Sequence, residues 1–227
     1  MTLSIAARCA RTGQIGTAVT SSSIAVAARC AWLRSGVGAV MTQNITDPAL
    51  GPLLLDRLAA GETPQAALDE VVRTTAAITY RQLTVIDMSG QTADYSGDMT
   101  LGVNASADGK NCVAAGNLLA NDGVPAAMVA TFTGSDASLP LAERLMLSLE
   151  AGMFAGGEAG PVHSAGLKVC GDPVWPIVDL RVDWAENEGV TALRSLWNAY
   201  EPQMQDYIIR AGDPASAPAY GVPGDDG

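Results

Sequence analysis

Thr2-Leu3-Ser4-Ile5-Ala6-Ala7-Arg8 and the run from Ile15 to Thr20 are short stretches of small, β-branched and apolar residues. Between them, Ala10-Arg11-Thr12-Gly13-Gln14 has the polarity and the Thr-Gly pair of a hairpin turn, so the chain is expected to open with a β-hairpin. A third run, Gly36-Val37-Gly38-Ala39-Val40-Met41-Thr42-Gln43, is apolar and glycine-containing, which suits a central strand approached closely by another backbone.

Two helices are expected next. Asp47-Pro48 has the chemistry of an N-cap and first helical residue, followed by Leu50, Leu53, Leu54 and Leu58 at helical spacing before Gly61. Thr63-Pro64 starts the second helix, with Ala67, Leu68, Val71 and Val72 on one face. Short β-type segments follow at Leu83 to Asp87, Thr92 to Tyr95 and Cys112 to Ala115, separated by Ser89-Gly90 and by a Gly/Asn/Asp-rich loop.

A second helical block is expected from about Asp122 to Phe132 and from Leu139 to Ala151, with Gly152 as its stop signal. Strands at His163 to Cys170 and Pro176 to Trp184 come next, then a last helix from about Val190 to Arg210. Residues 1–210 read as a single domain, and 211–227, rich in Pro, Ala, Gly and Asp, as an extended or mobile tail.

This order of strands, paired helices, strands, paired helices and strands is not the strict alternation of a doubly wound parallel sheet. It fits an α+β chain in which two antiparallel sheets pack together under helices, an αββα sandwich.

The 227 residues suffice for one large core, with 48% hydrophobic and 16% charged residues. Acidic residues outnumber basic ones by 24 to 13, and the Lys and Arg residues are scattered, which opposes binding to nucleic acid. The start lacks the pattern of a signal peptide and no run of about 18 apolar residues occurs, so no membrane partner and a cytoplasmic location are expected. Cys9, Cys30, Cys112 and Cys170 are widely spaced without a Cys-x-x-Cys pair, and read as buried free thiols. With His163 the sole histidine, no metal or other cofactor is expected.

Several segments together resemble the DUF1028 family of bacterial proteins, which is placed among the N-terminal nucleophile (Ntn) hydrolases. They are Thr2 to Arg8, Gly16-Thr17-Ala18-Val19-Thr20-Ser21, Gly36 to Gln43, Arg81-Gln82, Gly116-Asn117, Leu141-Ala142-Glu143-Arg144-Leu145 and Asp179-Leu180-Arg181-Val182-Asp183. The resemblance runs from Thr2 to about Tyr200. It implies a four-layer αββα, Ntn-hydrolase-like sandwich and hydrolysis of a small amide, peptide or related C–N bond. One loop departs from the common pattern: where the family often has Gly-Gly-Asp followed by Arg-Gly-x-Gln-Ser-Ala, this chain has Gly156-Gly157-Glu158-Ala159-Gly160-Pro161-Val162-His163-Ser164-Ala165. The change points to a subgroup with altered specificity.

Thr2 is the first candidate nucleophile. If Met1 is removed, one residue carries both a hydroxyl and a free α-amine, whose reference pKa of about 7.7–8 lets it accept the hydroxyl proton. Ser21, Ser22 and Ser23 close the neighbouring strand and are placed to orient that amine or bind substrate, although a serine run also suits an ordinary strand end. Asn117, after a permissive glycine, is a candidate donor to a developing oxyanion, or equally a turn residue. His163 is the side chain whose ordinary titration lies nearest neutrality, and Ser164 and Glu158 lie near it in sequence. Gln43 and Arg81 are candidates for binding an amide or carboxylate, against a structural role for Arg81 in pairing or capping. The expected substrate is a small molecule and the expected assembly a homo-oligomer. Two alternatives stay open: a non-catalytic binding or assembly protein with this architecture, and a hydrolase using an internal serine such as Ser22 or Ser164.

Overall fold

The computed structural model describes residues 2–223. Met1 and the last four residues of the expected tail, 224–227, lie outside the described residues, and with Met1 the question of the free amine.

Strand β1 (Thr2–Arg8) alternates its side chains between two cores. Leu3, Ile5 and Ala7 join one apolar cluster, while Ala6 joins another. On either side of β1 lie β2 (Ile15–Ser21) and β8 (Cys112–Asn117), both antiparallel to it, so the expected hairpin is present and its first strand is central. Strands β9 (Ser164–Cys170) and β10 (Pro176–Val182) extend the sheet beyond β2, and β7 (Ala105–Gly109) closes the other edge. The resulting order is β10-β9-β2-β1-β8-β7.

A second antiparallel sheet has the order β3-β4-β5-β6, from β3 (Ala31–Arg34), β4 (Gly38–Asn44), β5 (Arg81–Asp87) and β6 (Thr92–Ser96). Ala6, Ile15, Val19 and Val113 of the first sheet pack with Ala39, Met41 and Ile86 of the second. Against the first sheet's other face pack α4 (Val124–Gly134), α5 (Leu141–Phe154) and α6 (Gly189–Gly212), through Met128, Phe132, Leu145, Leu149, Leu193 and Trp197. Helices α2 (Leu50–Ala59) and α3 (Pro64–Thr74) cover the second sheet through Leu54, Leu58, Leu68 and Val71.

Several boundaries differ from the sequence reading for identifiable reasons. Helix α3 starts as expected, with the Thr63 side chain accepting the Ala66 N–H at 3.3 Å. Helix α2 starts later than Pro48, because Asp47 Oδ1 accepts from Ala49 N at 3.1 Å and so closes a turn ahead of the helix. Gly152 does not stop α5. A Cβ there would come within 2.8 Å of Met128 Cγ and 3.0 Å of Leu3 Cδ2, so the glycine lets the helix close onto α4 and β1. Helix α1 (Val26–Cys30) and β3 were not anticipated, a five-residue helix being too short to show a period. Strand β7 lies within the stretch read as loop, and β8 supplies its hydrogen bonds. The expected tail begins inside α6, and its next segment folds back: Arg210 Nη2 donates to the Pro218 and Ala219 carbonyls, and the guanidinium lies 3.9 Å from the Tyr220 ring centre. Cys9, Cys30, Cys112 and Cys170 are buried free thiols.

Candidate active site

The register of the first sheet lines up four polar residues at one end. Thr2 pairs directly with Asn117, and the Leu3–Thr20 pair brings Thr2 alongside Ser21, which in turn pairs with Ser164. The row therefore reads Ser164, Ser21, Thr2, Asn117 across four adjacent strands. Thr2 is 4% exposed and the other three are fully buried. Since Leu3, Ile5 and Ala7 point to the helices, Thr2 and Ser4 point toward the second sheet.

A hydrogen-bonded relay crosses between the sheets beneath this row. Ser4 Oγ donates to Gln43 Oε1 at 2.7 Å, and Gln43 Nε2 donates to Gln82 Oε1 at 2.8 Å. Asn117 Nδ2 donates to the same Gln82 oxygen at 3.0 Å. The amide of Gln82 is oriented by the Gly116 carbonyl, which only accepts, and takes the Nε2 hydrogen bond at 3.0 Å. That orientation propagates: Asn117 must turn its nitrogen inward, leaving Oδ1 as a buried acceptor without a partner among the described residues. Asn117 spends one of its two Nδ2 N–H groups on Gln82, so its expected role as an oxyanion donor rests on the other. Strand β8 also runs through Gly116 and Asn117, which is why Asn117 faces Thr2 instead of lying in a turn.

Glu158 is held beside the row by an isolated bridge between Leu119 and Glu158. Glu158 is 5% exposed, and Oε2 accepts the Ser22 N–H at 3.2 Å. Oε1 has no hydrogen-bond partner among the described residues. Burial pushes its pKa up to about 7, partly offset by hydrogen bonds from Ser22 and by His163.

The remaining candidates divide by placement. Ser23 Oγ lies 2.8 Å from Ser21 Oγ, and the Ser23 N–H donates to that hydroxyl at 3.0 Å, so the serine turn is folded onto the row. Ser164 Oγ donates to the Ser23 carbonyl at 2.6 Å and accepts from Val26 N at 3.1 Å, which engages it in both directions. His163 donates its backbone N–H to the Ser21 carbonyl, stacks on Trp184 at 4.4 Å and turns Nδ1 to the Ala185 carbonyl, an acceptor, at 2.9 Å. Gln43 is 1% exposed and sits inside the relay, a supporting position. Arg81 is not brought into the row: it follows a 3-10 turn, and Nη1 donates to the Ile45 carbonyl.

Sequence reasoning passed over Gln82 as a site-supporting residue, and also Ser4. The available signal was polarity at an inward position: Gln82, Thr84 and Ile86 share the face of β5 that meets the first sheet. Among the described residues, no group of three or more His, Cys, Asp or Glu side chains is placed to hold a metal ion, and no helix is long and apolar enough to cross a membrane.

The model of a family of unknown function, DUF1028, matches residues 2–193. The chain belongs to the DUF1028 family. A crystal structure of protein SPO2555 from Silicibacter pomeroyi, matched to the same DUF1028 family model, superposes with a TM-score of 0.81 at 28% identity, covering 88% of each chain. Anbu, an ancestral beta-subunit from Yersinia bercovieri, aligns at a TM-score of 0.41 and 10% identity, covering 90% of this chain and 97% of that one. No curated protein matches the sequence. In this DUF1028 protein the polar row, the serine turn and Glu158 meet at one end of the central strands.

Proposed function

We propose that the chain is a four-layer αββα hydrolase of the N-terminal nucleophile type, cleaving a small amide, peptide or related C–N bond with Thr2 once the residue before it is removed. The observation that carries this reading is the position of Thr2 at the head of a central strand, in one row with Ser21 and Asn117 and near a buried carboxylate.

In this mechanism Thr2 Oγ1 attacks the substrate carbonyl carbon while the α-amine takes the hydroxyl proton. The amine then passes that proton to the leaving nitrogen, the C–N bond breaks and an ester to Thr2 remains. Water attacks this ester while the amine accepts its proton; the C–Oγ1 bond then breaks, the amine returns the proton to Oγ1, and the acid is released. A reference amine pKa of about 7.7–8 suits both halves of the cycle near neutrality. Glu158 supplies negative charge near the amine, and the Asn117 and Glu158 oxygens without partners favour N–H donors on substrate or amine. An internal Ser164 nucleophile is disfavoured, because its hydroxyl is engaged by both the Ser23 carbonyl and the Val26 N–H.

The test links processing to turnover. Amide and ureide substrates are assayed on a sample whose amino terminus is weighed by mass spectrometry, beside Thr2→Ala. Activity should follow the fraction with Thr2 exposed, and Thr2→Ala should lower it at least about a thousandfold while costing about 1 kcal/mol of stability. Equal turnover by protein that fully retains Met1 would refute the amine mechanism.

A further inference from the structure

The opposite end of β1 opens into a cavity of about 320 Å³, within the lower range of small-ligand sites. Its wall comes from the end of β1 and the following turn (Arg8, Arg11), the β7–β8 turn (Lys110, Asn111) and the end of α4 with the loop after it, together with Arg144 of α5. Four cationic side chains thus meet in a chain of net charge −11. None of the four takes part in an ion pair among the described residues; those pairs use Arg34, Arg57, Arg73, Lys168 and Arg194.

Their hydrogen bonds go to neutral groups. Arg144 is 7% exposed, yet it donates to the Phe132 carbonyl at 2.9 Å and the Ser135 hydroxyl at 2.8 Å, with its guanidinium 4.1 Å from the Phe132 ring centre. Arg11 donates to the carbonyls of Ala137 and Ser138, both at 3.2 Å. Arg8 Nη1 reaches Asn111 Oδ1 at 3.3 Å, while its buried Nε has no acceptor among the described residues. Carbonyls and hydroxyls orient a guanidinium without neutralising it, so the positive potentials add within the cavity. Asp136, held below the usual carboxylate range chiefly by Ser138 and also by Arg11 and Arg144, and Asp108 provide the nearby opposing charge.

We propose that this cavity is a binding site for a small organic anion, recognised through a carboxylate or phosphate group. Arg8, Arg11 and Lys110 contact the anion's oxygens, and Arg144 contributes field from the floor. An oxyanion seated there supplies the acceptor that Arg8 Nε lacks, after a small rotation of a side chain that is only partly buried. The site stands apart from the Thr2 row, six residues away along β1, about 20 Å at the usual rise of a strand.

The test is calorimetric titration at low salt with inorganic phosphate and, separately, succinate, on wild type, Lys110→Gln/Arg11→Gln and Thr2→Ala. At least one anion should bind saturably at 1:1 stoichiometry, the two arms telling phosphate from carboxylate. The double variant, changed at two exposed side chains and checked for folding by its circular dichroism, should bind about tenfold or more weakly. Thr2→Ala should bind as wild type does, whatever its turnover. Absence of saturable binding by both anions at millimolar concentration would overturn the site, as would equal affinity in the double variant or loss of binding in Thr2→Ala.

Discussion

The two ends of β1 treat polar groups in opposite ways. At Thr2, side chains are buried and bonded to one another, and the acceptors left over belong to Asn117 and Glu158. At Arg8, the polar groups are cations bonded to neutral carbonyls and hydroxyls, and the group left over is a donor. The difference follows from how each end is built. Sheet register sets the first, so its groups are fixed by pairing across four strands; turns and a helix end set the second. Stability should therefore depend on the Thr2 end and respond weakly to the Arg8 end.

The largest stability effect is expected at Gln82. Replacing it by Leu removes the shared acceptor of Gln43 Nε2 and Asn117 Nδ2 and the donor to the Gly116 carbonyl, all within the buried interface of the two sheets. At about 1–3 kcal/mol for each stranded group, with some relaxation, Gln82→Leu should lose about 3–6 kcal/mol in urea unfolding. A loss below about 1 kcal/mol would show that the relay does not hold this end together.

Glu158 separates the ends by pH. Its ordinary pKa of 4.5 is raised to about 7 in the folded protein, so the folded state holds a proton that the unfolded state has released between these values. Its contribution is most favourable below about pH 4.5 and declines as pH rises through about 7, by a total on the order of 3 kcal/mol. Glu158→Gln keeps an acceptor for the Ser22 N–H and removes the titration. The stability difference between variant and wild type should be small at pH 4 and grow in the variant's favour to pH 8. A difference curve that is flat across this range would place the carboxylate in a better solvated setting than its burial indicates.

The same contrast explains what the sequence made legible. Alternation in Thr2 to Arg8 and Ile15 to Thr20 is a local signal, so the opening hairpin could be read directly, and with it the closeness of Thr2 and Ser21. Asn117 was legible as a candidate, but its chemistry was not. The direction of its amide depends on Gln82 and the Gly116 carbonyl, a constraint passed between two sheets. Glu158 stood out in the altered loop, whereas its contact with Ser22 joins residues 136 positions apart. The cationic end left no trace in a linear reading, since Arg8, Lys110 and Arg144 come from distant segments and looked scattered. Gly152 misled because a helix stop and a close packing contact use the same residue.

The smallest effect is expected at the Arg8 end, and its sign is informative. Four cations line this cavity and none has a carboxylate partner in an ion pair among the described residues, so removing one should relieve like-charge repulsion and leave the fold at least as stable. Lys110 is the suitable probe, because it is exposed and the three arginines all make hydrogen bonds. Lys110→Gln should raise stability by about 0.3–0.5 kcal/mol at low ionic strength, and the gain should fade as salt shortens the screening length toward about 3 Å at 1 M. Adding phosphate or succinate to wild type at low salt should narrow the same gap, because a bound anion relieves the repulsion that the substitution removes. A destabilised Lys110→Gln at low salt would mean that the lysine balances Asp108 or Asp136, and the two ends of β1 would then be alike in having their charges matched within the fold.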